Sequence, residues 1–259
     1  MEVTLVITKS VEQNAETYFE KAKKAKRKIP GVKKTIEEQK QKLGVAQTKA
    51  EDAAAAKEKK IIRKKEWFEK FRWCYSSTGF LVVGGRDATT NEIMIKKHLD
   101  KNDRVFHAEL PGSPFIVIKN PDHKEIDEET SMEAAIICAS FSKSWKSGRT
   151  TAEVYWVTPE QVSKEAKSGE YLAKGSFMIY GKRTFITAKI NLAVCNYQDR
   201  IMCGPVSAIA HHATRYLELV QGESKVSDTA KKIQKIIGGE LDEIIRALPP
   251  DCTIKKEKK

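Results

Sequence analysis

An unbroken heptad seam near the N-terminus constrains this chain most. Val11, Ala15, Tyr18, Ala22, Ala25, Ile29, Val32, Ile36, Gln39 and Leu43 step by four and three without a slip, which draws a narrow stripe down one long helix. Pro30 and Gly31 interrupt the run, and a proline that removes a donor and crowds the preceding turn predicts a kink or break there. One narrow stripe cannot bury itself. Residues 45–66, with Ala46, Ala50, Ala53 and Ile61, are the expected second helix, with Gly44 at a hairpin tip, so an antiparallel coiled-coil arm is predicted over residues 1–66.

The arm is also where the charge sits. Of a formal net charge of +12, residues 1–66 supply 18 Lys/Arg against 10 Asp/Glu, a net +8, and the other 193 residues only +4. Lys21, Lys23, Lys24, Lys26, Arg27 and Lys28 fall within eight residues, with Glu20 and Glu37 the nearest acids on either side. Such a run is either a solvated helix face or a surface for a polyanion. No window approaches the eighteen apolar residues of a membrane span and no signal peptide is visible, so a cytoplasmic location with no membrane partner is expected. Five cysteines without a CxxC spacing predict free thiols.

From Trp67 the composition changes to a compact domain, 67–259. The aromatics of WFEKFRWCY read as core at its start, with base stacking as the alternative. Strands are expected at Phe80–Val83, Arg104–Glu109, Phe115–Lys119 and Ala152–Val157. A hairpin over Ser176–Ile186 would turn at Gly181 and Lys182, and a further strand pair would surround Asn196–Arg200. Helices are expected at Thr90–Leu99 and Ser131–Ser147, opened by Thr89 with Glu92 and by Thr130 with Glu133 as capping boxes, the second closing at Gly148. Two short helices, near Asp228–Ile237 and Leu241–Ala247, end the chain. Without a regular βαβ alternation this is an α+β domain: a mixed, largely antiparallel sheet with flanking helices.

The stretch FLVVGGRDATTNE runs a strand into a glycine pair and a helix start, the geometry of phosphate binding at a helix N-terminus. It has neither GxGxxG nor GxxxxGK[ST], so neither a dinucleotide site nor a nucleotide-hydrolysing loop is expected. What remains is a turn with Arg86 and Asp87 at its mouth, either an RNA phosphate site or a structural corner. His107, at a strand end, has no recognisable nucleophile or carboxylate partner for catalysis. Cys195 and Cys203 flank NYQDR symmetrically and would face each other across a hairpin, with His211 and His212 downstream, but their spacing matches no zinc pattern. No metal, cofactor or catalytic residue is expected. Lys96 and Lys97, Lys119, Lys143, Lys146 and Arg149, and Lys182 with Arg183 recur on the domain. With the arm they form a surface that would read RNA shape rather than sequence.

The segments EWFEKFRWCYSSTGFLVVGGRDATTNEIMIKKHL, VFHAELPGSPFIVIKN, VYWVTPEQVSK and GEYLAKGSFMIYGKR resemble, in order, the NFACT-R domain of the NFACT proteins, the family of RqcH and NEMF. The head, ITKSVEQNAETYFEKAKKAKRK, is similar to that family's middle coiled coil. The resemblance implies ribosome-associated quality control: binding of tRNA and of the large ribosomal subunit, and C-terminal tailing of stalled nascent chains, with the peptide-bond chemistry left to the ribosome. The family's N-terminal modules have no counterpart here, so Arg86 and Asp87 are not its Asp-Arg tRNA-reading pair. The chain is then expected to be the C-terminal part of a longer protein or a split-gene product that meets an NFACT-N half. Pro111 stands where relatives often carry a second histidine, so no role needing paired histidines is expected. The RNA-contact candidates are Lys23, Lys24, Arg27, Lys28, Arg86, Lys96, Lys97, His107, Lys119, Lys143, Arg149, Lys182 and Arg183. The rival reading is a protein-interaction scaffold, its seam paired with a partner helix or with a second copy as a homodimer.

Overall fold

A computed structural model describes residues 4–58, 65–110, 112–165 and 172–258. It divides into two units, residues 1–64 and 65–259.

The first unit is one helix, α1 (Val11–Glu58), 48 residues long, or about 70 Å at 1.5 Å per residue. The expected hairpin is not there: α1 runs through Gly44, and no second helix lies among the described residues of this unit. The break expected at Pro30 is also absent, since Pro30 lies inside the helix. Around it stand Lys, Glu and Gln, strong helix formers that offset the single lost backbone bond. The seam is left exposed, with Tyr18, Ile29, Val32 and Ile36 all in solvent. Ahead of α1, the buried Asn14 amide donates to the carbonyls of Val6, Lys9 and Ser10 and accepts from Val6 N–H, which holds residues 4–10 against the first turn. Of the expected second helix, Ala46, Ala50 and Ala53 have side chains outside the described residues, and Ile61 lies outside them altogether.

The second unit is α+β, and every described ladder is antiparallel, so the mixed character expected of the sheet does not appear. A six-stranded sheet has the order β1 (Arg72–Tyr75), β2 (Leu81–Gly84), β4 (Ile116–Lys119), β3 (Arg104–Ala108), β5 (Thr151–Val157), β8 (Thr184–Lys189). A four-stranded sheet has the order β10 (Arg200–Gly204), β9 (Leu192–Tyr197), β11 (Tyr216–Gln221), β12 (Cys252–Lys258). A short pair joins β6 (Val162–Ser163) to β7 (Met178–Ile179).

That last pair corrects the hairpin expected over 176–186. Met178–Ile179 pairs with β6, and β8 pairs with β5, so the bend at Gly181 carries the chain from one sheet to another. The bend is held by the Gln161 amide, which donates to the carbonyls of Tyr180 and Lys182.

The hairpin at Asn196–Arg200 is found, turning through Gln198 and Asp199 at φ 50° and 60°, the left-handed pair that matches strand twist. Its register does not bring the two cysteines together. Cys195 stands opposite Met202 and Cys203 opposite Val194, and because successive residues alternate faces, the two thiols point to opposite sides of the sheet. This alternation also divides the domain's interior. Ala193, Cys195 and Met202 join the core under the large sheet, while Leu192, Val194, Ile201 and Cys203 join a second core with Ile233, Ile244 and Leu248. These last three come, in order, from α6 (Val226–Ile237), from α7 (Leu241–Ala247) and from the residue that follows α7. All five thiols are free and buried, and burial pushes Cys195 up to about 12.

The two helices start two and three residues earlier than expected. In α2 (Ala88–Lys97) the cap is Asp87, whose carboxylate accepts from Thr90 N–H while the Thr90 hydroxyl accepts from Asp87 N–H. Glu92 pairs with Lys96 instead. In α3 (Glu128–Ser140) the cap is Asp127. Glu133, expected at the helix start, is a fully buried carboxylate that accepts from Ser77 N–H and the Ser207 hydroxyl. An ionised cap accepts more strongly than a hydroxyl, and in both places the aspartate wins. The helix expected to reach Ser147 stops at Ser140, and a separate turn, α4 (Lys143–Lys146), follows with Ser142 as its cap and Gly148 at φ 70° just beyond it.

Candidate nucleic-acid interface

The glycine pair after β2 makes a groove. At Gly85 an added Cβ would lie 1.8 Å from Asn91 Oδ1 and 2.9 Å from Asn91 Cα, and at Gly175 one would lie 2.5 Å from Ala88. Three backbones therefore close on one another at the start of α2, and only glycine permits it. The resulting cavity, about 400 Å³, is lined by the 85–91 corner, by Arg72 and Phe141, by His107 with residues 112–115, and by residues 174–177.

Its wall is cationic. Arg72 donates from Nη1 to the Gly85 carbonyl at 2.9 Å and stacks on Phe141, 4.3 Å from the ring centre, while its Nε is buried with no partner. Burial first, then the charge of Arg86, brings the Arg72 pKa down to about 10. Arg86 is half-buried beside it, and its pKa is lowered by burial and by Arg246 of α7, against the opposing pull of Asp87. Among the described residues no carboxylate lies within salt-bridge distance of Arg72, Arg86 or Arg246. The charge of Arg86 bears on Arg72 and that of Arg246 on Arg86, with the Asp87 carboxylate opposing both, and an anion at the corner would relieve the remaining repulsion. Lys174 is exposed at the rim. Lys143 stands close by, its Cε 3.7 Å from where a Gly112 Cβ would be.

His107 faces the same cavity as a neutral ring. Its Nε2–H donates to the Ser113 carbonyl at 3.1 Å, the ring centre is 4.4 Å from that of Phe115, and burial brings its pKa down to about 4. It contributes shape and a fixed edge rather than charge.

The other predicted contacts are dispersed. Lys23, Lys24, Arg27 and Lys28 are exposed on α1, Lys23 alone pairing loosely with Glu20. Lys96 and Lys97 are exposed on α2, the first tied to Glu92 at 2.7 Å. Arg149 and Lys182 are exposed in loops. Arg183 is bound to Glu109 at 3.1 Å and stacked on Tyr155. Lys119 departs furthest from the expectation. Its ammonium is enclosed, bonded to both Asp100 and the fully buried Asp103 and to the His98 carbonyl, which makes it an internal ion with nothing to offer a ligand. Arg72 and Arg246 were missed because strand pairing and the packing of α7, not spacing, bring them to Arg86. No cluster of three potential metal ligands occurs among the described residues, and none of their helices is long and apolar enough to cross a membrane.

Residues 70–181 match the family described as NFACT protein RNA binding domain, and residues 1–69 match the NFACT N-terminal and middle domains. The chain belongs to the NFACT family. It is 41% identical over 208 residues to the archaeal Rqc2 homolog aRqcH of Methanocaldococcus jannaschii, covering 77% of this chain and 31% of that protein. It is 40% identical to the ribosome quality control complex subunit NEMF homolog of Drosophila melanogaster, covering 71% of this chain and 19% of that one. With the human ribosome quality control complex subunit NEMF the identity is 38%, over 67% and 16%. This NFACT chain thus spans less than a third of the length of each of these relatives. Among solved structures it is similar to the C-terminal part of the fibronectin/fibrinogen-binding protein of Streptococcus suis, at 20% identity and a TM-score of 0.40 over 71% of this chain and 78% of that one, too loose a likeness to carry anything across.

Proposed function

We propose that this NFACT chain is the RNA-binding part of a ribosome-associated quality control factor, and that its groove holds a phosphodiester of the RNA between Arg72 and Arg86. The carrying observation is the two arginines that line the groove at the Gly85 corner, neither of them ion-paired among the described residues, with Asp87 opposing their charge from beyond salt-bridge distance. A phosphate oxygen there would accept from Arg86, with the buried charge of Arg72 behind it, in a partly desolvated site where such bonds are strong. The Drosophila and human relatives are ribosome quality control complex subunits by name, and the archaeal one is an Rqc2 homolog. On that footing the RNA is tRNA on the large ribosomal subunit, and the whole factor supports C-terminal tailing of stalled nascent chains alongside an NFACT-N half. Lys143 and Lys174 extend the contact along the backbone, and the α1 lysines add long-range attraction that salt screens.

The test is tRNA binding over a salt series. Arg86→Ala lowers affinity on the order of tenfold and makes log Kd less steep against log salt by about one contact. Lys23→Ala with Lys24→Ala lowers it about two- to fivefold, as fits exposed charges. Binding that ignores salt, or that ignores Arg86→Ala while the fold is intact, overturns the groove. The exposed heptad seam favours a separate role for α1, the pairing with a partner helix or a second copy, which sedimentation of residues 1–259 at rising concentration would reveal.

A further inference from the structure

At the other end of α2, about 15 Å from the groove for a ten-residue helix, lies a second and larger cavity of about 650 Å³. It belongs to the same unit, and no part of the phosphate argument uses it. Its chemistry differs from the groove's. Trp67, Tyr75, Phe80, Leu81 and His98 supply the lining, with Lys97 and Lys124 at its edge.

Trp67 is the residue to explain. Its indole is 39% exposed, yet it is held in place by edge contacts to Phe68 and Phe71, with ring centres 5.9 and 6.1 Å away, and by a near-parallel stack on His98 at 4.4 Å and 12°. Phe68 and Phe71 are buried in the core, so the indole is an ordered platform anchored from below rather than a loose surface ring. His98 is biased toward its neutral form, its pKa lowered by burial and then by Lys70 and Lys119. A neutral imidazole backs one face of the indole without adding charge to it.

The polar groups around the platform are of the kind a base edge needs. Asp100 gives Oδ2 to Lys119 but remains largely exposed, so an acceptor faces solvent beside the rings. Lys119 itself is consumed inside, and Lys97 at the rim has no ion pair among the described residues. A flat apolar floor, a carboxylate acceptor at its side and a cation at its mouth fit one occupant in a basic domain: an unpaired nucleobase whose own phosphate lies toward Lys97.

We infer that this cleft takes an unpaired base of the bound RNA, stacked on Trp67, with its exocyclic amino group toward Asp100. The inference rests on the RNA-binding reading, and α2 links the two sites, with phosphate at its N-terminal end and base at its C-terminal end. The NFACT protein would then prefer RNA with single-stranded nucleotides next to its phosphate contact over a continuous duplex.

The experiment compares three probes of equal length on the full chain by fluorescence anisotropy: an adenine-containing single strand, the same strand with abasic sites, and an RNA duplex. The wild type is expected to bind the adenine strand about tenfold more tightly than the abasic one, as a single stacked base does. Trp67→Leu keeps the packing on Phe68 and Phe71 but has no π face. It brings the adenine strand down to the abasic level while leaving abasic and duplex affinities unchanged, and Trp67→Phe retains most of the preference. Arg86→Ala, by contrast, weakens all three probes together. Equal binding of the adenine and abasic strands by the wild type, or a preference that survives Trp67→Leu, overturns the base cleft and leaves the phosphate groove standing. A chain that binds none of the three probes overturns both.

Discussion

The basic face of α1 and the Gly85 corner hold the same kinds of residue in opposite physical conditions. On α1, Lys23, Lys24, Arg27 and Lys28 stand in water, and Gly31 has nothing within 4 Å of where a Cβ would be. At the corner, two arginines are partly withdrawn from water, the charge of Arg86 lowers the Arg72 pKa, and Gly85 has no room at all. Charge counted along the sequence weights these two regions in favour of α1. Charge weighted by desolvation reverses the order, because a contact in a low-dielectric groove is worth several times one on an open helix.

The largest way to break the comparison is Gly85→Ala. The new methyl meets Asn91 at both its amide oxygen and its Cα, and Asn91 Oδ1 accepts from Phe115 N–H across the groove floor. Relief therefore requires moving α2 or losing that bond. The expected cost is about 3 kcal/mol, as for other overpacked sites, read as a fall of roughly 6–10 °C in the melting temperature of the domain. A melting temperature within a degree of the wild type would mean that the corner is looser than its geometry states.

The next effect concerns His107, the one predicted contact that the groove keeps neutral. Its folded pKa is about 4 against an ordinary value of 6.5, so the unfolded chain binds the extra proton between these values. Stability is complete above the unfolded pKa and falls as the pH drops through 6.5 toward 4. The loss by pH 4.5 is about 2 kcal/mol. Urea unfolding at pH 7 and pH 4.5 measures it, and His107→Gln, which keeps a donor for the Ser113 carbonyl, should show a smaller drop by that amount. An identical drop in both proteins would place the pH sensitivity elsewhere.

What could be read in the sequence followed from local rules. The seam gave a helix, alternation gave β3 and β5, the glycine pair gave the corner at Arg86, and a left-handed pair at Gln198 and Asp199 closed the hairpin at NYQDR. The misses have a common cause in contacts made far along the chain. Lys119 reads as a surface lysine until β3 brings Asp103 beside it, sixteen residues earlier in sequence. The bend at Gly181 reads as a hairpin until β8 is found on β5 rather than on β7. The second core depends on β11, β12 and α6 meeting across more than thirty residues. Asp87 and Asp127 are a different kind of miss, since each cap stands immediately before its helix and a carboxylate is the stronger acceptor. The arm's second helix was inferred from the seam's need for a cover. That need is real, and the exposed Ile29, Val32 and Ile36 still show it, but residues 45–58 extend α1 instead of folding back to meet it.

The smallest expected effect is the sharpest contrast with Gly85. Gly31 lies inside α1, one residue after Pro30, where the helix has already lost a backbone bond. Its carbonyl accepts from the Thr35 hydroxyl at 3.0 Å, a bond that a methyl on Cα does not disturb. With open space around the new Cβ, Gly31→Ala removes only backbone freedom from the unfolded chain, and helix stability rises by about 0.5–1 kcal/mol. Far-ultraviolet circular dichroism would record a small gain in helicity at temperatures where α1 frays, with no change in the domain's melting. If helicity falls instead, the backbone after Pro30 is in a conformation that only glycine tolerates, and α1 bends there after all.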